Sequence, residues 1–282
     1  MPALFAEHIN YQVKGRAILR DVSFEAKRGE RFALLGHNGS GKSSLIEIMT
    51  GVTARHSGKA GFADGADFSK IKRTTGVLWD NLNIFPFLKV REAIRHIAAL
   101  YRLKPEAYRE IYDCLEIENI QNQFMQKLSR GEKKRTEILL ATMHRPTLLI
   151  LDEPAAELDP LVREKVWQHI FLKAETVFFT THLWEEAKKF ASSIAFIYKG
   201  ALLNKPASYH ELIASSGFAH KITVAKEAPL ELSGAASYET EKEKIILVPQ
   251  GSELIEQVRK ATVNYSVMPV ELEDIYRNLI NK

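Results

Sequence analysis

The 282-residue sequence predicts an α/β fold, a mixed sheet carrying a helical insert and followed by a small second α/β domain. Three observations predict it. Short continuous apolar runs at Arg31–Leu35, Thr147–Leu151, Val177–Thr180 and Ile194–Tyr198 read as strands covered on both faces. The first run leads straight into a glycine-rich turn and then a helix over about Lys42–Met49. Between residues 86 and 145 the apolar spacing becomes helical, with Pro105 dividing two segments.

The pattern weakens near Asn204–Gly217, which divides the chain into 1–205 and 206–282. Beyond it, Lys221–Ala225 and Lys244–Val248 read as strands. A short amphipathic helix follows, with Leu254, Ile255 and Val258 on one face, then a strand near Val263–Met268 and a final helix from Glu271.

Composition bounds the function. Apolar residues make up 45% of the chain, enough for a substantial core and unlike a disordered segment. Cys114 is the single cysteine, so no disulfide forms within the chain, and a reducing compartment is expected. It sits in an apolar-periodic helix and reads as a small core residue. Met1–Glu7 lacks the basic start and apolar stretch of a signal peptide. No apolar run approaches the ~20 residues that cross a membrane, so any membrane span is expected from other chains. The net charge of +4 is uneven: residues 206–282 hold 8 basic and 11 acidic groups, leaving +7 on residues 1–205. A basic front suits an anionic partner, whether nucleotide, acidic lipid or nucleic acid.

Gly36-His37-Asn38-Gly39-Ser40-Gly41-Lys42-Ser43 fits the phosphate-loop pattern G-x-x-x-x-G-K-[ST] and lies between a strand and a helix, with Ser44 continuing into that helix. Glycines let the backbone wrap a phosphate, and the helix start attracts anions. Lys42 would place a point charge on the phosphates, and the Ser43 hydroxyl can hold Mg²⁺. A capped glycine turn is the plainer alternative, disfavoured by the strand context and by Gly-Lys-Ser together.

Leu148-Leu149-Ile150-Leu151 ends in Asp152 and Glu153. Open α/β sheets gather ligands at the carboxyl ends of their strands. Asp152 is therefore expected at Mg²⁺ and Glu153 as the general base for an attacking water. Such an acidic pair is usually a solvated loop start; a phosphate loop in the same chain favours the functional reading.

Leu128-Ser129-Arg130-Gly131-Glu132 precedes a helix and also has the S-x-x-E spacing of a capping box. Here the chain resembles the ATP-binding cassette (ABC) family, whose signature is L-S-G-G-Q or a close variant. Lys133, Lys134 and Arg135 follow in the first helical turn, where cations oppose the helix dipole and a nearby polyanion would relieve them. The resemblance extends to Glu157-Leu158-Asp159-Pro160, similar to the D-loop, and to Thr181-His182 after a strand, similar to the switch-histidine position. It covers residues 1–205 and implies a P-loop NTPase fold of the ABC type.

By that resemblance two copies bind two ATP–Mg²⁺ head to tail. Each nucleotide would lie between Lys42 and Ser43 of one copy and Ser129, Gly131 and Glu132 of the other, with Glu153 and His182 catalytic. Two positions depart from the family. Asp80, in Gly76-Val77-Leu78-Trp79-Asp80, stands where the Q-loop glutamine usually lies, and is a further metal candidate. Val13 stands where an aromatic residue commonly stacks on adenine, with Tyr11 as its nearby substitute. Arg130 also replaces a signature glycine.

Pro269-Val270-Glu271-Leu272-Glu273-Asp274-Ile275-Tyr276 resembles an ending of ATPase subunits of ABC-2-type exporters of the daunorubicin-resistance class. The implied function is the ATP-hydrolysing subunit of an exporter, a homodimer driving a separate membrane-spanning permease from the cytoplasmic face. The alternative is a soluble ATPase of the same fold, acting on nucleic acid or in an assembly complex. The acidic tail and the lack of a tandem cassette argue against nucleic acid as a partner.

Overall fold

The central sheet forms where the apolar runs lie. A computed structural model describes residues 2–63, 66–80, 85–227, 235–261 and 264–281. The expectation for Met1, and that for Val263 at the start of a strand, fall outside these residues. The chain divides into two compact units, Met1–Pro206 and Ala207–Lys282.

In the first unit, β1 (Pro2–Val13), β2 (Arg16–Lys27) and β3 (Arg31–Leu35) lead to α1 (Lys42–Met49). Next come β4 (His56–Phe62), α2 (Phe68–Ile71) and β5 (Thr75–Leu78). The helical insert contributes α3 (Val90–Tyr101), α4 (Pro105–Cys114) and α5 (Arg130–Thr142). Then follow β6 (Leu148–Asp152), α6 (Pro160–His169), β7 (Thr176–Thr181), α7 (Trp184–Phe190), β8 (Ser193–Tyr198) and β9 (Ala201–Leu202).

One sheet has the order β5-β6-β7-β3-β8-β9, parallel except for the β8–β9 pair. This order sets β6, β7 and β3 side by side. The residues after Leu35, Asp152 and Thr181 therefore emerge together at the carboxyl edge.

The apolar runs begin at Arg31, yet two 12-residue strands precede it. They form an antiparallel sheet in the order β2-β1-β4. Register shifts interrupt the β1–β2 pairing, and His8 and Asp21 adopt φ of 51° and 50°. The period-2 signal that would announce strands is broken there.

Phe24 of this sheet packs on Phe32 and Phe178 of the parallel sheet, with ring centroids 5.0 and 5.6 Å away. Leu45, Ile46 and Met49 of α1 join the same core. The next residue of β7, Phe179, lies 4.8 Å from Trp167. Trp167 in turn stacks on Phe190 at 4.5 Å. Alternation along β7 thus feeds two cores.

In the insert, Arg102 ends α3 in a left-handed C-cap, and Pro105 takes the first turn of α4, where its missing N–H costs nothing. Cys114 is half-buried, and burial pushes its thiol pKa up. Among the described residues no helix is long and apolar enough to cross a membrane.

The second unit comprises α8 (Tyr209–Ser216), β10 (Phe218–Ala225), β11 (Ser237–Glu239), β12 (Glu243–Pro249), α9 (Leu254–Ala261), β13 (Tyr265–Pro269) and α10 (Leu272–Ile280). Its sheet is antiparallel, in the order β11-β12-β10-β13. Ile222, Val224, Ile246 and Val248 form its core with Val258 of α9.

Candidate active site

The loop from Gly36 to Ser43 is shaped by close contact. An ideal Cβ on Gly36 would lie 2.4 Å from the Ile197 carbonyl and 2.9 Å from Ser40 Oγ. Gly41 has φ of +109°, and a Cβ there would meet Leu19 at 2.7 Å. Only glycine fits either place. The loop is tied down by Gly36 N–H to the Thr181 carbonyl (3.2 Å) and Gly200 N–H to the Ser40 carbonyl (3.0 Å).

His37, Asn38, Gly39 and Ser43 are exposed, while Gly41 and Ser44 are half-buried. The His37 ring meets the edge of Trp184 at 6.1 Å. No side chain caps the start of α1, and its first turn carries no acid. Its leading N–H groups and dipole are therefore suited to an anion.

Three charged groups converge beside this loop. Lys42 is 5% exposed, and its ammonium donates to the carbonyls of Gly36 (2.6 Å) and His37 (3.3 Å). It also lies 3.1 Å from Glu153 Oε1. That contact is an ion pair without hydrogen-bond alignment, since Oε1 is a buried atom with no hydrogen-bond partner. The other oxygen, Oε2, is 2.8 Å from His182 Nδ1. A carboxylate only accepts, so the imidazole donates from Nδ1.

Glu153 has φ of +47°. Left-handed backbone in a non-glycine residue costs about 1–2 kcal/mol and persists where the surroundings impose it. Asp152, 1% exposed, is held by the Thr180 hydroxyl.

The residues fit a polyphosphate with a divalent cation. Gly36 and Gly41 leave no room for a Cβ, and Ser40 Oγ and Glu153 Oε1 are buried without hydrogen bonds. Among the described residues no group of three His, Cys, Asp or Glu gathers around one point. A cation here would therefore complete its shell with hydroxyl, water and phosphate oxygens, as Mg²⁺ commonly does.

Ser129, Gly131 and Glu132 line their own open cleft of about 360 Å³, with Glu157, Leu158 and Asp159. Ser129 caps α5: its Oγ accepts from Glu132 N–H (3.3 Å), and the Glu132 carboxylate accepts from Ser129 N–H (2.9 Å). Ser129 Oγ also donates to the Glu132 carboxylate at 2.7 Å, and this bond first, then that from the Ser129 N–H, lowers the carboxyl pKa.

The three cations after the signature are compensated inside the chain. Lys133 lies 3.9 Å from Glu137, Lys134 3.9 Å from Asp80, and Arg135 2.9 Å from Glu116. A polyanion is therefore not required to relieve them, contrary to the expectation from the helix dipole alone. The geometry places Asp80 just beyond β5, beside the nearly buried Lys134 ammonium.

Tyr11 is half-buried against the main core, and Val13 is 42% exposed beside the Lys14–Gly15 turn. The hairpin residues that abut the loop are Ile18 and Leu19.

Two groups at this site carry no motif signal. Thr180 touches both Asp152 and Glu153, which requires the β6–β7 register pairing Asp152 with Thr180. Glu186, 3% exposed, accepts from Trp167 Nε1 at 2.9 Å, and burial raises its pKa. Its only trace in the sequence is an acid four residues after the switch histidine, which reads as a helix surface.

The chain is similar to known proteins in sequence and in fold. Residues 19–156 match the family described as ABC transporter. The ABC transporter ATP-binding protein YdbJ of Bacillus subtilis is 32% identical over 209 residues, across 71% of this chain and 68% of that protein. The linearmycin resistance ATP-binding protein LnrL of the same species is 31% identical over 210 residues, again across 71% and 68%. In fold, the chain matches the solved structure of an ATP-binding subunit of an ABC transporter with a TM-score of 0.67 and 24% identity, across 76% of this chain and 93% of that one. This chain belongs to the ABC transporter ATP-binding family, whose cassettes bind ATP and hydrolyse it to power transport.

Proposed function

We propose that this chain is the ATP-hydrolysing subunit of an exporter and drives a separate membrane-spanning subunit. The observation that carries the catalytic part is Glu153: buried, in left-handed backbone, and set between Lys42 and His182. Its Oε1 is the acceptor for the proton of the attacking water. His182, its ring held by Glu153 through Nδ1, would orient the transferring phosphate by donating from Nε2, which requires a proton on both ring nitrogens. Lys42 exchanges its carbonyl partners for phosphate oxygens and supplies charge where it develops.

Ser43 and Asp152 would hold Mg²⁺, with Asp80 as a further candidate ligand. When bound, Mg²⁺ would neutralise phosphate charge and orient the polyphosphate. Adenine would lie toward the Tyr11–Val13 hairpin.

Two cassettes would close head to tail, Ser129, Gly131 and Glu132 of one copy meeting the phosphate loop of the other. The cassette spans 1–205, with its helical part at 86–145, and 206–282 is an accessory domain. Export is supported by the resistance relative LnrL and by the tail sequence. The permease would hold the cassettes at the cytoplasmic face, docked at the groove between the Asp80 segment and the helical insert.

The test is ATP-dependent self-association. Glu153→Gln should bind ATP and sediment as a stable dimer, whereas the wild type with ATP cycles back to monomer. A variant that turns over at the wild-type rate, or stays monomeric at saturating ATP, would sink this assignment. Co-purification with a multi-helix membrane protein tests the permease separately.

A further inference from the structure

Thr180 lies on β7, opposite Asp152 on β6. Its hydroxyl donates to Asp152 Oδ1 and accepts the Glu153 N–H at 3.2 Å. One hydroxyl therefore touches both carboxyl residues of the site. Its proton is committed, because an ionised carboxylate accepts only, and its lone pairs face the N–H. The Thr180 carbonyl shares that N–H, also at 3.2 Å. The bonded N–H belongs to the residue held at φ +47°. Asp152 is 1% exposed and Thr180 fully buried, so water is a poor substitute for the hydroxyl.

Packing alone does not call for a hydroxyl here. Valine has nearly the same shape and suits a buried strand at least as well. The neighbouring Thr181 spends its hydroxyl differently, accepting Leu183 N–H at 3.0 Å in the turn after the strand.

We propose that Thr180 is a positioning residue: its hydroxyl aims the Asp152 carboxylate at the divalent cation and steadies Glu153 for the attacking water, without itself touching nucleotide. This rests on the hydrolytic reading above. Loss of the hydroxyl leaves Asp152 Oδ1 a buried acceptor without its donor, while Glu153 N–H keeps the carbonyl. The defect should therefore fall on the metal more than on the nucleotide.

The experiment compares Thr180→Val, Thr180→Ala and Thr180→Ser in the full chain. Binding of mant-ATP is measured in EDTA and in Mg²⁺, alongside the Mg²⁺ concentration that half-saturates hydrolysis. Thr180→Val should bind mant-ATP in EDTA as the wild type does, lose about tenfold of the Mg²⁺-dependent binding, and need about tenfold more Mg²⁺. Thr180→Ala should share the defect if Val disturbs folding, and Thr180→Ser should restore both readouts to within about threefold. An unchanged Mg²⁺ requirement in folded Thr180→Val overturns the assignment. So does equal weakening with and without metal, or failure of Ser to rescue. Wild-type protein that neither binds nor hydrolyses ATP overturns the functional reading itself.

Discussion

Two buried carboxylates show how differently the two units use charge. Asp274, in the second unit, is fully buried and saturated with donors. Lys221 approaches both its oxygens at 3.0 and 2.9 Å, the Tyr238 hydroxyl donates at 2.6 Å, and the Glu271 N–H donates at 2.8 Å as part of the α10 cap. Burial first, and then the bond to Asp274, drive the Tyr238 hydroxyl pKa far up.

Glu153, in the first unit, is 7% exposed but poorly satisfied. One of its oxygens has no hydrogen bond, its cation is a lysine also bonded to loop carbonyls, and its backbone is left-handed. Burial alone therefore does not separate Glu153, the proposed general base, from a structural acid. Unfilled hydrogen-bonding capacity on a strained backbone is what sets it apart from Asp274.

The comparison breaks or sharpens by substitution. The largest effect is expected at Glu153→Gln, with turnover reduced about 10²–10⁴-fold and no fall in the thermal midpoint. A clear drop in stability would make Glu153 a structural acid like Asp274.

Asp274→Ala should do the opposite and destabilise its unit by about 3–5 kcal/mol, because Lys221 is left beside a lost partner. Calorimetry reads this directly, and a change under 1 kcal/mol would mean the donors find water.

Trp167→Phe tests an intermediate case. It removes the indole donor to Glu186 and should cost about 1–3 kcal/mol in denaturant unfolding.

The smallest effect is expected at Glu137, 5% exposed on α5, whose pKa burial pushes up to about 7. The folded state holds this proton more tightly than the unfolded chain does. Its contribution is therefore complete below about pH 4.5 and is lost as pH rises through about 7. Glu137→Gln should flatten that slope and gain on the order of 1–2 kcal/mol at pH 8. An unchanged slope would move the titration elsewhere.

Much of the site was legible because its determinants are contiguous. A strand, a glycine turn and a helix start need only neighbouring residues, so Gly36–Ser43 could be read from sequence, and so could the Ser129–Glu132 cap. The strand ends at Asp152 and Thr181 were legible to within a residue, because apolar runs mark buried parallel strands. The first two strands were not, since bulges at His8 and Asp21 break their period.

What the sequence determined by itself is the inventory: a phosphate loop, an acidic strand end, a capped signature helix and a histidine after a strand. Each depends on local spacing that backbone geometry turns directly into structure. Only the tertiary structure decided how these parts meet. The β6-β7-β3 order brings Lys42, Glu153 and His182 within hydrogen-bonding and ion-pair distance. A register across 28 residues joins Thr180 to Asp152. Carboxylates from two other segments, Asp80 and Glu116, face Lys134 and Arg135, while Lys133 meets Glu137 of its own helix. Register and charge pairing depend on which segments pack together, and that is set by burial of the whole sheet rather than by any stretch of neighbouring residues.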